Sequence, residues 1–161
     1  MVVDLMQTFL PYEDFEKTAR CLDYRRLGKQ RVETMQIMNA LTGLSTGWVN
    51  HPATLMWEGH ELALMRYQVA IVDEWVERGY TDNVCLEKTT AAFDLLNGPF
   101  SEPWWLGKEE LHQSHKSNLL RKDIEWYSQF GWNINNDLEY WWPTKEVPLC
   151  QTKVLEIITF Q

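Results

Sequence analysis

The segment from Asn50 to Gly79 constrains the fold more than any other part of the chain. Asn50 or His51 is placed to cap a helix, Pro52 occupies a first helical position, and Gly79 follows Arg78 as a stop. Between these ends Leu55, Met56, Leu62, Ala63, Ala70, Ile71 and Trp75 recur at three- and four-residue spacing, the period of one buried helix face. An unbroken helix of roughly 26 residues is about 39 Å long at 1.5 Å per residue, enough to act as the spine of a domain. Tyr24–Leu41 repeats the pattern through Leu27, Val32, Met35, Ile37 and Met38, with Gly43 as its stop. Gly28 inside it costs about 1 kcal/mol relative to alanine and is a candidate break. Shorter helices are expected at Glu13–Ala19, Leu86–Leu96, Leu111–Leu120 and Ile124–Phe130. Pro103–Gly107 reads as a stiff aromatic loop, Met1–Pro11 as extended chain and Val154–Phe160 as a terminal strand. The expected fold class is all-α: a compact single domain over residues 1–161, with a long central helix, about three main helices and extended termini.

A chain of 161 residues suits one domain. Cys21, Cys85 and Cys150 stand far apart with no C-x-x-C, so neither a disulfide scaffold nor a zinc ribbon is indicated. No apolar run approaches the ~18 residues of a membrane span and no leader pattern opens the chain, so a cytoplasmic protein with no membrane association is expected. The net charge of −8 counts against a protein that coats nucleic acid. The charge is nevertheless segregated. Residues 17–31 hold Lys17, Arg20, Arg25, Arg26, Lys29 and Arg31 against Asp23 alone; residues 108–122 hold Lys108, Lys116, Arg121 and Lys122 against Glu109 and Glu110. Ten of the 15 basic residues therefore fall in two short windows, and a local basic face can bind phosphate whatever the total. The nine tryptophans divide similarly. Trp75 reads as core, whereas Trp48, Trp104 and Trp105 lie in loops and are candidates for stacking on a base.

Several groups carry possible chemistry. His112 and His115 stand three apart on one helix face, placed to orient a loop or contact phosphate. With Glu109 or the His60-Glu61 pair they approach a metal-ligand set but do not complete one, and no metal or other cofactor is expected. Lys29 and Glu33 lie at i, i+4, within ion-pair reach. They form either an ordinary surface pair or an amine and carboxylate suited to imine chemistry. No Ser-His-Asp order, phosphate-cradling glycine loop or dinucleotide fingerprint is present.

Four stretches are distinctive together: Leu22-Asp23-Tyr24-Arg25-Arg26-Leu27-Gly28-Lys29-Gln30-Arg31-Val32-Glu33, Gly47-Trp48-Val49-Asn50-His51-Pro52, Met56-Trp57-Glu58-Gly59-His60-Glu61 and Glu77-Arg78-Gly79-Tyr80. With the stretch from His112 through Ser114-His115-Lys116 to Asp123, they resemble the pyrimidine-dimer DNA glycosylase/lyase family over roughly residues 6–143; residues 144–161 form a C-terminal extension. The resemblance implies a small helical fold and a particular chemistry. An N-terminal α-amine attacks the deoxyribose C1′, a glutamate stabilises the cationic sugar, and arginines clamp a kinked duplex with a flipped base. An α-amine suits the task because its ordinary pKa, about 7.7–8.0, leaves a neutral nucleophilic fraction near pH 7.

Carried onto this chain, the resemblance makes the amine that of Val2 (or Met1), with Met6 as an alternative start. Arg25 matches a DNA-contacting arginine. The next position, a catalytic glutamate in the family's phage member, is Arg26 here, so Asp23, Glu33 or Glu61 takes that part, with His60 beside the last. The expected DNA contacts are Arg25, Arg26, Lys29, Arg31, His115, Lys116, Arg121 and Lys122. The function implied is a DNA glycosylase, with AP-lyase activity, acting on damaged or modified pyrimidines, its partner a DNA duplex and no obligate protein partner evident. Two other readings stay open: a nucleotide or phosphoester hydrolase built on His60, Glu61, His112 and His115, and a non-catalytic DNA- or nucleotide-binding relative.

Overall fold

The computed structural model describes residues 6–143. Val2, Met1, Cys150 and the strand expected at Val154–Phe160 lie outside these. Among the described residues the chain forms seven α-helices, α1 (Phe15–Cys21), α2 (Tyr24–Leu41), α3 (Pro52–Leu55), α4 (Glu61–Glu77), α5 (Cys85–Phe93), α6 (Glu109–Lys122) and α7 (Ile124–Tyr127), then a 3-10 turn at Ser128–Phe130, and no strand. The fold is all-α, and α2, α4 and α6 are its three main helices, of 18, 17 and 14 residues. No helix among the described residues is long and apolar enough to cross a membrane.

Local chemistry explains most boundaries. Asp14 caps α1 by accepting from Lys17 N–H, and Asp23 caps α2 by accepting from Arg26 N–H. His51 caps α3, its Nδ1 accepting from Ala53 N–H at 3.0 Å, with Pro52 as first residue. The single long helix expected from Pro52 is instead two helices separated by a turn. Gly59 adopts φ +85, a left-handed conformation that an α-helix cannot continue through, and Glu61 seals the new start by accepting from Gly59 N–H at 3.0 Å. The break turns Trp57 wholly into the core, where its Nε1–H donates to Thr8 Oγ1. The longest helix is therefore α2, about 27 Å at 1.5 Å per residue, and it runs unbroken through Gly28. That glycine answers to packing: the Trp75 ring of α4 lies where a side chain would be.

Helix α2 packs on α4 and α5, and α1 packs on α4. The extended segment 6–10 threads between α2 and α6 with no neighbouring strand, so side chains satisfy its backbone groups. Glu33 accepts from Gln7 N–H at 2.8 Å, Gln30 from Phe9 N–H at 2.9 Å, and His115 Nδ1 from Leu10 N–H at 2.8 Å. In return Gln30 Nε2–H donates to the Gln7 carbonyl, Tyr67 O–H to that of Phe9, and His112 Nδ1–H to that of Leu10. A buried polar group left without such a partner costs roughly 1–3 kcal/mol, so this one segment fixes the positions of buried polar side chains on three helices.

Candidate active site

One face of α2 carries Arg26, Lys29, Gln30 and Glu33, spaced at three, four and seven residues and so aligned along the helix. With Arg25, Phe9 and Lys122 at the end of α6 they line a cavity of about 210 Å³. Its walls bring together four cations and one carboxylate. Glu33 is buried; its Oε2 takes the Gln7 N–H and also faces Gln30 Nε2, while its Oε1 lies 3.4 Å from Lys29 Nζ. Lys29 stands more exposed at the rim, its side chain 45% accessible. Tyr140 borders the same region, its hydroxyl acted on by Arg121, Arg26 and Glu33, and burial pushes its pKa up to about 12.

Two larger grooves, of about 730 and 630 Å³, lie elsewhere. Asp73, Glu77, Asp82 and Glu87 line the first; Glu13, Asp14, Glu16 and Asp73, against Arg66 alone, line the second. A polyanion is repelled there, whereas the smaller cavity is lined mainly by cations, so charge rather than size singles it out. Among the described residues, acids line the two larger grooves while four cations line this cavity, so a protein of net charge −8 still presents a local cationic patch.

Asp23, one of three candidate carboxylates, is spent on structure. It caps α2, accepts a short bond (2.5 Å) from Tyr127 O–H and holds Arg26 Nη1 at 3.0 Å. Burial pushes its pKa up, but the Tyr127 hydroxyl and Arg26 outweigh burial and hold the carboxyl below its ordinary range. Glu61 is occupied by Gly59, and His60 Nδ1 lies 2.9 Å from the Ser101 carbonyl; neither lines the cavity. Of the three, only Glu33 lines the cavity.

The basic residues divide as well. Arg25, Arg26, Lys29 and Lys122 meet at the cavity. Arg31 points from the other side of α2, paired with Asp82 at 2.5 Å and lying 4.4 Å from the centre of the Trp75 ring. Arg121 binds Asn118 Oδ1 and the carbonyl of Asn136, holding the chain that follows α7. Lys116 sits over the Tyr12 and Trp132 rings, and burial, then Lys17, lowers its pKa. His115 is fully buried and spent on Leu10; burial and His112 take its pKa down to about 3, so it is a neutral acceptor, not a phosphate contact. His112 bridges the Leu10 carbonyl and Gly107 N–H. The pair therefore orients a loop. His60, Glu61, His112 and His115 are not assembled into one centre, and among the described residues no group of three or more His, Cys, Asp or Glu is placed to hold a metal. Trp105 is buried with its Nε1–H donating to the Met56 carbonyl, which removes it from base stacking, while Trp48 and Trp104 stay exposed.

The sequence reading passed over Phe9, Gln30 and Tyr140. Gln30 was detectable in principle, since it shares the face of Arg26 and Glu33; nothing local marks the other two. Compared with known proteins, residues 6–88 match the family model described as pyrimidine dimer DNA glycosylase, a span containing every cavity residue except Lys122. No curated protein and no solved structure matches the chain.

Proposed function

The chain belongs to the pyrimidine dimer DNA glycosylase family, and we propose that it removes a damaged pyrimidine through an imine at C1′, with Glu33 as the catalytic carboxylate and AP-lyase cleavage following. The observation that carries this is the 2.8 Å bond from Gln7 N–H to Glu33 Oε2. It anchors the head of the extended segment on the one carboxylate of a cationic cavity. Since successive residues are about 3.8 Å apart along the chain, the Met6 nitrogen stands within roughly 6.6 Å of that carboxylate. In a chain that starts at Met6 the α-amine would belong to the residue next to the Glu33 contact, which supports its use as the nucleophile.

The chemistry follows from the charges. The neutral amine forms a bond to C1′ as the C1′–N bond breaks, and the departing base takes the bonding pair and a proton. Glu33 accepts the proton that the amine loses and returns it to O4′ as the C1′–O4′ bond breaks, so the sugar opens to the protonated imine, whose positive charge the carboxylate stabilises. In the imine, loss of a C2′ proton expels the 3′ phosphate by β-elimination. Arg25, Arg26, Lys29 and Lys122 hold the backbone phosphates that flank the extruded nucleotide. Arg26 stands where the resemblance puts the phage member's glutamate, and Glu33 lies seven residues further along the same helix face.

Borohydride trapping on an abasic duplex tests the proposal, with chains beginning at Met1 and at Met6. The expected result is a covalent adduct on the N-terminal peptide of the chain that starts at Met6. Glu33→Gln is expected to reduce trapping about a hundredfold, with duplex affinity held within threefold. Absence of an adduct from both chains would remove the imine step.

A further inference from the structure

We infer that the loop 42–50 reads the opened duplex, with the Trp48 indole stacking on a nucleobase left unpaired at the lesion. The inference rests on the DNA glycosylase reading above and adds a base-contacting site to it.

Four features meet in this loop. It contains no charged residue in a chain that is 24% charged, yet it is exposed, with Leu44, Trp48 and Val49 presenting 60%, 42% and 37% of their surfaces. Surfaces that grip phosphate carry cations, as the cavity does. An exposed apolar tip suits the stacked interior of a duplex, where apolar side chains wedge between bases and aromatic rings stack on them. Secondly, Trp48 has φ +66 and is the one non-glycine residue among those described with a positive φ. That conformation is disfavoured for a bulky side chain, and strain of this kind gathers at functional positions.

Thirdly, the ring is held from behind. His51 meets it edge-on at 5.4 Å, and His51 is itself pinned by its Nδ1 accepting from Ala53 N–H at the start of α3. Fourthly, the rings form a continuous path to the site. His51 meets Trp142 at 6.0 Å and Trp142 meets Tyr140 at 5.8 Å; Tyr140 feels both Arg26 and Glu33. Three such steps span less than the roughly 34 Å of one duplex turn. DNA with its damaged nucleotide in the cavity therefore passes within reach of Trp48.

The test uses the full chain and a duplex with 2-aminopurine opposite a tetrahydrofuran abasic site, which binds but forms no imine. Wild type and Trp48→Phe are expected to change the 2-aminopurine emission on binding. Trp48→Gly is expected to lose that change and to bind the abasic duplex about tenfold to a hundredfold more weakly, the usual worth of one stacked base. Its affinity for the undamaged duplex should stay within twofold and its Tm should be unchanged or higher, because glycine relieves the positive φ. A purely structural Trp48 would lose Tm and both affinities together, which overturns the inference. So does a Trp48→Gly variant that retains the emission change and the affinity, or a wild type that binds without any emission change. Wild type failing to bind either duplex defeats the DNA reading itself, a different failure.

Discussion

Replacing Gly28 with alanine sets two effects of similar size against each other. In an open helix interior, alanine is more stable than glycine by about 1 kcal/mol. At position 28 the new methyl group would stand 2.9 Å from both Cη2 and Cζ3 of Trp75, well inside the 3.5–4.0 Å at which carbon atoms attract. The ring is held by three contacts that a shift would disturb. Tyr80 stacks on it at 4.2 Å, the Arg31 guanidinium lies 4.4 Å from its centre, and its Nε1–H donates to the Thr81 carbonyl at 3.1 Å. Overpacking of this kind costs about 1–3 kcal/mol. The net expectation is a loss of about 1 kcal/mol, which for a chain of this size lowers Tm by about 2–4 °C. Urea denaturation followed by circular dichroism measures it as a shifted midpoint at constant slope. In a Trp75→Leu background the obstruction is gone, so the same substitution should become stabilising by about 1 kcal/mol; that change of sign is the coupling between the two positions. A stabilising Gly28→Ala in the wild-type background, or the same sign in both, would refute the packing account of this glycine.

Two further outcomes separate structural from DNA-facing residues. His115 has a folded pKa of about 3 against an ordinary 6.5, so below pH 6.5 the unfolded chain takes up a proton that the folded chain refuses. Stability should fall as pH is lowered through that window, by about 1.4 kcal/mol per unit from this group. His115→Gln should be less stable at pH 7, and its acid limb should be shallower by about one proton in urea midpoints measured between pH 7 and 4.5. An unchanged slope contradicts the buried neutral imidazole. Arg25→Ala should weaken duplex binding and reduce the log–log salt slope by about 0.9, one phosphate's worth. Arg31→Ala should lower Tm through the lost contacts with Asp82 and Trp75 and leave that slope unchanged. Equal effects of the two arginines on the slope would contradict the division of α2 into two faces.

Much of the secondary structure was legible because it depends on neighbours in sequence. The ends of α2 follow from apolar period and flanking residues alone, and Pro52 marks the start of α3 as its chemistry requires. The same reasoning extended one helix across Gly59, because the apolar period on either side stays in phase and only the φ of that residue shows the break. It also read Gly28 as a weakness in α2, since the tryptophan that occupies its missing side chain's place arrives from 47 residues downstream.

The site follows the same division. Composition and spacing along the chain located the basic windows and set Lys29 beside Glu33, one helical turn apart, without reference to any other element. They could not say which carboxylate or which cations line the cavity. Those answers depend on partners distant in sequence. Tyr127 occupies Asp23 from 104 residues away, Asp82 draws Arg31 to the far side of α2 from 51 residues away, and Leu10 consumes His115 from 105 residues away. Only when the extended segment threads between the helices does the Gln7 N–H reach Glu33 at the cavity wall. Helix period and capping are local energies and can be read along a line. Desolvation and hydrogen-bond partnership are settled by whatever the fold brings within 3 Å, and they decided which charged residues line the cavity.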